Sequence, residues 1–166
     1  MSRVYVLKTV QKIPAEMEVV WKFFSRPGNL QTITPKEMNF IITSPFLTEA
    51  AYPGEIITYK VSPVWNIPIR WVTEITQVKH HEYFVDEQRF GPYAMWHHEH
   101  HFKSIDGGVE MTDMVSYKMP YWFIGDIANT LFVRNKLKNI FTYRYHQIEN
   151  LFGRWKDGEL KQVFFY

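Results

Sequence analysis

The chain has no cysteine, so disulfide cross-links, thiolate metal ligands and cysteine nucleophiles are all excluded. It also lacks any apolar run of about 20 residues, the length a helix needs to span a bilayer. No apolar stretch of signal-peptide length precedes the first strand-like pattern at Val4, so secretion and stable membrane insertion are not expected and a cytoplasmic location is. Charge of one sign is scarce. The net charge is +2, with 19 basic and 17 acidic residues interspersed, which leaves no broad basic footprint for nucleic acid. Repeats and low-complexity tracts are missing too. What is abundant is aromatic: Trp, Tyr and Phe make up 17% of the 166 residues. That is more than a minimal core requires and suits the walls of a wide apolar cavity, while the length fits one domain with a substantial core.

Periodicity divides the chain into one strand, two short helices, six strands and a long helix. Val4 to Ile13 alternates as a strand, and Met17, Val20, Trp21 and Phe24 then fall at helical spacing between Pro14 and Pro27-Gly28. A second short helix is expected over Asn29 to Ile33, ahead of Pro35. Strands follow at Met38–Thr43, Glu55–Val61, Ile67–Val78, Tyr83–Phe90, Tyr93–Ser104 and Gly108–Met119, an antiparallel meander. Asp126 to Phe152 reads as one helix whose apolar stripe includes Ile127, Leu131, Leu137, Phe141, Tyr145, Ile148 and Phe152. Arg134, Lys136, Lys138 and Arg144 lie mostly off that stripe. A curved seven-stranded sheet wrapped around the last helix buries both apolar faces and leaves a gap between them, an α+β architecture with a built-in cavity.

The stretch Tyr83 to Pro120 is the most informative. In Trp96-His97-His98-Glu99-His100-His101-Phe102, strand alternation separates Trp96, His98, His100 and Phe102 from His97, Glu99 and His101. The aromatic-flanked set faces inward; the other three belong on a solvated outer face. An Asp106-Gly107 hairpin loop pairs Ile105 with Gly108, and counting back sets Phe102 opposite Met111, His100 opposite Asp113, His98 opposite Val115 and Trp96 opposite Tyr117. A turn at Lys79-His80-His81-Glu82 likewise sets Ile75 opposite Asp86, Thr73 opposite Gln88 and Trp71 opposite Phe90. The expected inner surface therefore carries Asp86, Gln88, His98, His100 and Asp113 among Trp71, Phe84, Phe90, Trp96, Phe102, Met111 and Tyr117. Phe141 and Arg144 face them from the helix, Arg144 as a carboxylate partner if it turns toward the sheet. Unpaired burial would cost about 1–3 kcal/mol per polar group, so something must satisfy them.

Several motifs carry a resemblance. Trp21-x-Phe23-Phe24, Asn29-Leu30-x-x-Ile33-Thr34-Pro35, Ile67-Pro68-x-x-Trp71, Phe84-x-Asp86-Glu87-Gln88-x-x-Gly91-Pro92-Tyr93, Trp96-x-His98-x-His100-x-Phe102 and Asp113-x-Val115-x-Tyr117-x-x-Pro120 resemble the ligand-binding branch of the START, polyketide cyclase and birch-pollen-allergen superfamily. The resemblance runs from about residue 3 to residue 152 and implies a helix-grip domain over 1–152, with 153–166 as a tail whose Val163-Phe164-Phe165-Tyr166 end docks on a partner or on the protein itself. It implies binding of a lipid, polyketide, quinone or similar molecule; some relatives are cyclases or hydrolases.

Four uses of the cluster stay open at this point. It holds the polar end of a mostly apolar ligand, the first reading, with that ligand as partner. Alternatively His98, His100 and Asp113 serve as acid and base in a cyclase, dehydratase or hydrolase. In a third reading the groups satisfy one another, His100 with Asp113 and His98 with Asp86 or Gln88, and only fix strand register. A metal held by His98, His100 and Asp113 or Asp86 is the fourth; neither cysteine nor a helical His-x-x-x-His supports it, and no metal or other cofactor is expected.

Overall fold

A computed structural model describes residues 3–45, 49–62, 67–120, 132–156, 158 and 160–165. Strand β1 (Val4–Ile13) leads through Pro14 into helix α1 (Met17–Phe24), whose buried stripe is Val20, Trp21 and Phe24. Two 3-10 segments follow, Pro27–Ile33 and Lys36–Met38. Strands β2 (Ile41–Ile42), β3 (Ile56–Val61), β4 (Ile69–Lys79), β5 (Tyr83–Phe90), β6 (Met95–Ile105) and β7 (Gly108–Lys118) then form the meander. Helix α2 (Arg134–Phe152) and a last strand, β8 (Lys161–Phe165), complete the order.

The sheet has eight strands in the order β2-β3-β4-β5-β6-β7-β1-β8, all paired antiparallel. The seven-stranded expectation falls one short, because the tail supplies β8, whose Gln162 to Phe165 pair with Thr9 to Val6 of β1. The edge is also tied to α2: Gln162 Nε2 donates to Lys138 O and Thr142 Oγ1, and the Arg134 guanidinium lies over the Phe164 ring at 4.7 Å. The short second helix is 3-10 rather than α, and the Met38–Thr43 strand shrinks to Ile41–Ile42. Of the expected long helix, residues 126–131 lie outside the described residues. Among the described residues no helix is long and apolar enough to cross a membrane.

Register in the β6–β7 hairpin follows the counted pairing throughout, from Ile105↔Gly108 through His100↔Asp113 to Trp96↔Tyr117. Its turn depends on two glycines. Gly107 sits at φ 81°, the left-handed region that a hairpin of this length requires. A Cβ there would meet only Trp155 at ordinary contact distance, so Gly107→Ala is expected to destabilise by about 1–2 kcal/mol through backbone strain alone, measurable as a lower midpoint in urea. At Gly108 a Cβ would collide with the Ile13 carbonyl, so the end of β1 crosses the hairpin only because that position has no side chain.

Register departs from expectation at β4–β5. Thr73↔Gln88 and Ile75↔Asp86 hold, but an irregularity between Val72 and Thr73 pairs Phe90 with Val72 instead of Trp71. A one-residue slip sends a side chain to the other face, and Phe90 accordingly lies 62% exposed.

Three apolar clusters fill the concavity. One joins Trp21, Phe24, Phe84, Phe102, Met111 and Ile148. A second joins Tyr5, Leu7, Val115, Tyr117, Leu137 and Phe141, and a third, at the β3–β4 end, joins Phe40, Ile57, Tyr59, Val61, Trp71 and Ile75. Helix α2 buries Leu137, Phe141, Arg144, Tyr145 and Ile148 against the sheet. Between the third cluster, α2 and the 3-10 segments the packing is incomplete.

Candidate functional site

That gap is a cavity of about 220 Å³. A structural water needs about 10–15 Å³, so the space is of small-molecule scale. Its floor is the sheet, with Ile57, Tyr59, Trp71, Thr73, Phe84 and Trp96; its roof is α2 through Leu137, Ile140 and Phe141; Leu30, Ile33 and Thr34 of the first 3-10 segment close one side. The aromatic wall is continuous. Phe40 packs on Tyr59 at 4.7 Å between ring centroids, Tyr59 stacks on Trp71 at 5.9 Å, and Trp71 meets Trp96 edge-on at 5.4 Å. Tyr93 completes it, 4.8 Å from Trp96 and 5.6 Å from Trp71.

One end of this apolar space is ionic. Asp86 on β5, His98 and His100 on β6 and Arg144 on α2 reach the cavity, while Asp113 on β7 lies behind the two imidazoles. The rings pack together tilted, centroids 3.8 Å apart and planes 42° from parallel, bracketed by the two carboxylates. On the cavity side Asp86 Oδ2 is 2.9 Å from His100 Nε2 and 3.4 Å from His98 Nδ1. On the far side Asp113 Oδ1 is 3.2 Å from His98 Nε2 and 2.8 Å from His100 Nδ1. The last contact is short but off the ring N–H direction, so it attracts as charge without being a well-formed hydrogen bond. Arg144 Nη2 stands 3.6 Å from Asp113 Oδ1, and its guanidinium lies over the Phe24 and Phe141 rings.

Electrostatics separates the groups. Burial pushes the Asp113 carboxyl up, but Arg144 and the close His100 and His98 rings outweigh it and hold the group well below the usual carboxylate range. Asp86 is lowered in the same way: burial opposes ionisation, and the His98 and His100 rings together with Arg144 overcome it. The two imidazoles move in opposite directions. Burial lowers His98, and a charged His100 beside it adds to that; His100 is also pushed down by burial, yet the Asp113 and Asp86 carboxylates win and raise it. With Asp86 and Asp113 ionised, Arg144 charged and His100 carrying a second ring proton, the buried group is neutral as a whole. This is how so many ionisable side chains are tolerated beneath a cavity.

The expected inner surface thus divides. Trp71, Phe84, Asp86, Trp96, His98, His100, Phe141 and Arg144 line the cavity. Phe102, Met111 and Tyr117, expected there, are instead core: they pack under α1 and α2 with 5%, 1% and 0% exposure. Asp113 supports the histidines from behind. Gln88 is spent on the β5–β6 turn, accepting from Tyr93 N–H at 3.2 Å and donating to Tyr93 O at 2.7 Å. Phe90 points away. Hydrogen bonding within the cluster is diagonal, His98 with Asp113 and His100 with Asp86, the reverse of the direct cross-strand pairs expected. His97, Glu99 and His101 do lie on the other face, where His97 bonds Glu87 and His101 bonds Glu99. Cavity residues that the sequence did not place on the inner surface include Leu30, Ile33, Ile57, Tyr59 and Tyr93; alternation in Ile57-x-Tyr59-x-Val61 carried a usable signal.

Sheet, grip helix and cavity together make a helix-grip fold. Three solved structures illustrate the likeness. A protein from Chromobacterium violaceum is 12% identical over 90% of this chain and 98% of its own, with a TM-score of 0.66. Ara h 8.0201 is 13% identical over 89% and 99%, with a TM-score of 0.58. A nucleoside-diphosphate sugar epimerase from Corynebacterium glutamicum is 24% identical over 86% of this chain but only 28% of its own, with a TM-score of 0.62. No protein-family model and no curated protein matches the chain.

Proposed function

We propose that this protein carries or senses a small, mostly apolar molecule that ends in an acceptor or acidic oxygen. The observation that carries this reading is a pair of buried donors without partners among the described residues, Trp71 Nε1 and Arg144 Nε, both on residues that line an otherwise apolar cavity. A buried donor left unmade costs about 1–3 kcal/mol, and an oxygen-bearing ligand would remove that penalty. The aromatic wall would enclose its body, and His98, His100 and Asp86 would face its polar end. Helix-grip relatives that hold lipids, polyketides or quinone-like compounds make the class a natural one.

Native mass spectrometry of gently purified protein, followed by solvent extraction, tests this directly. A co-purifying compound, or uptake of a long-chain carboxylic acid or quinone followed by Trp fluorescence, is the expected result. Trp71→Ala should weaken uptake by about 2 kcal/mol, roughly 30-fold. Failure of every probe to bind a folded protein would sink the reading.

The opposite displacement of His98 and His100 favours a second reading, proton transfer on a bound carbonyl compound with the charged ring as acid and the neutral one as base. It requires turnover that His100→Gln abolishes while binding persists.

A further inference from the structure

The geometry points to a binding site for a divalent first-row transition ion, of which Zn²⁺ is the type, formed by Asp86, His98 and His100 at the ionic end of the cavity. One donor atom from each of the three lies within 4.8 Å of the others. Donors of an ion bound at about 2.0–2.2 Å stand roughly 2.9–3.5 Å apart, the lower figure for octahedral and the upper for tetrahedral coordination. Asp86 Oδ2 meets both limits, at 2.9 Å from His100 Nε2 and 3.4 Å from His98 Nδ1. The 42° between the ring planes frees the two in-plane lone pairs from separate parallel layers.

What lies behind these donors strengthens the inference. Metal-binding imidazoles usually present their second nitrogen to a carboxylate, which fixes the ring and raises its basicity. Here the second nitrogen of His98 bonds Asp113 Oδ1 at 3.2 Å, and that of His100 lies 2.8 Å from the same oxygen as a charge contact. That carboxylate in turn faces Arg144 at 3.6 Å. The same arrangement decides which side of the rings an ion would take. Asp113 has the guanidinium 3.6 Å away, and a cation there would face a fixed positive charge at close range; Asp86 feels that charge from farther off and opens on the cavity. The ligand set is therefore Asp86 with the two histidines, and Asp113, the other carboxylate that the sequence left open, is a positioning residue.

Two histidines and one carboxylate leave at least one coordination position open toward the cavity, the composition of catalytic zinc sites and of the facial triads that hold ferrous iron. The charge balance bears on what fills it. An ion of charge +2 with Asp86, Asp113 and Arg144 sums to +1, so an anionic oxygen on the cavity ligand, such as a carboxylate, phenolate or enolate, completes neutrality. The site goes beyond the carrier reading and stands or falls separately from it.

Untagged, metal-free protein titrated with Zn²⁺ in a calorimeter decides the matter. One equivalent bound, with a rise in melting temperature, is expected. Asp86→Asn, which keeps an oxygen at the same place, and His100→Gln should each weaken binding by more than about 100-fold, while His97→Gln on the outer face leaves it unchanged. Circular dichroism and melting of the metal-free variants check that each is folded; should one not fold, His98→Gln replaces it. No heat and no melting shift in the folded wild type overturns the site. So does binding that survives Asp86→Asn but is lost in His97→Gln. Uptake of a long-chain carboxylic acid by protein that binds no Zn²⁺ would remove the metal and leave the carrier reading; one equivalent of Zn²⁺ without uptake of any apolar probe would do the reverse.

Discussion

Replacing Arg144 with methionine is expected to lower the free energy of unfolding by about 3–5 kcal/mol, the usual effect of breaking a buried ion pair by removing one member. The side chain is 8% exposed, as is that of Asp113, so water cannot stand in for the lost charge. Methionine keeps the bulk of the Arg stem but not the guanidinium's place over the Phe24 and Phe141 rings, so the loss covers the ion pair and those cation–π contacts together. Without the guanidinium the cluster holds two carboxylates against one shared proton, and the system answers by taking up a second proton or by opening. Combining Arg144→Met with Asp113→Asn should destabilise by much less than the two single effects added, because the second change removes the charge that the first leaves stranded. Urea titration of the four proteins reads this coupling. Additive losses would mean that the pair, 3.6 Å apart, contributes nothing as a pair.

Phe102→Ala should lose a similar amount, about 3–5 kcal/mol, for a different reason. Phe102 is 5% exposed and packs against Trp21, Phe24 and Phe84. Its removal opens a void where α1 meets the sheet, one layer behind the cavity-lining Phe24 and Phe84. The contrast with Trp71→Ala is the point: Phe102→Ala should reduce stability and leave ligand uptake by the remaining folded protein near the wild-type level. A large fall in affinity with little change in unfolding midpoint would put Phe102 back in the binding site.

These two residues also show how far the sequence could be read. The β6–β7 register was legible from end to end because a type-specific turn at Asp106-Gly107 and two alternating strands gave the same count independently. That count brought His98, His100 and Asp113 together correctly, whereas Arg144, read as lying mostly off the helix stripe, is buried against the sheet beside Asp113. Alternation reports a face, however, and not how far the sheet bends away from what covers it. Phe102 and Trp96 share a face of β6, yet α1 fills the space above Phe102 while the space near Trp96 stays open.

Phe90 was misplaced because the β4–β5 irregularity between Val72 and Thr73 adds a residue to one strand without altering the hydrophobic pattern of either. Strand β8 escaped because a short apolar run after Gly153 has no partner recognisable in sequence; its pairing with β1 is a long-range contact. The reversal of hydrogen bonds inside the cluster, with His100 on Asp86 and His98 on Asp113, depends on side-chain rotation, which strand register leaves free.

Ligand and ion binding both depend on an interior space with its ionic end open to it. A crystal structure of the untagged protein, purified without detergent or chelator, measures that most directly. Density for a bound molecule between Trp71, Trp96 and Phe141, with an oxygen or an ion in contact with His100 Nε2 and Asp86, is the predicted result. A cavity closed by its own side chains, or His98 and His100 rotated away from it into solvent, would contradict it.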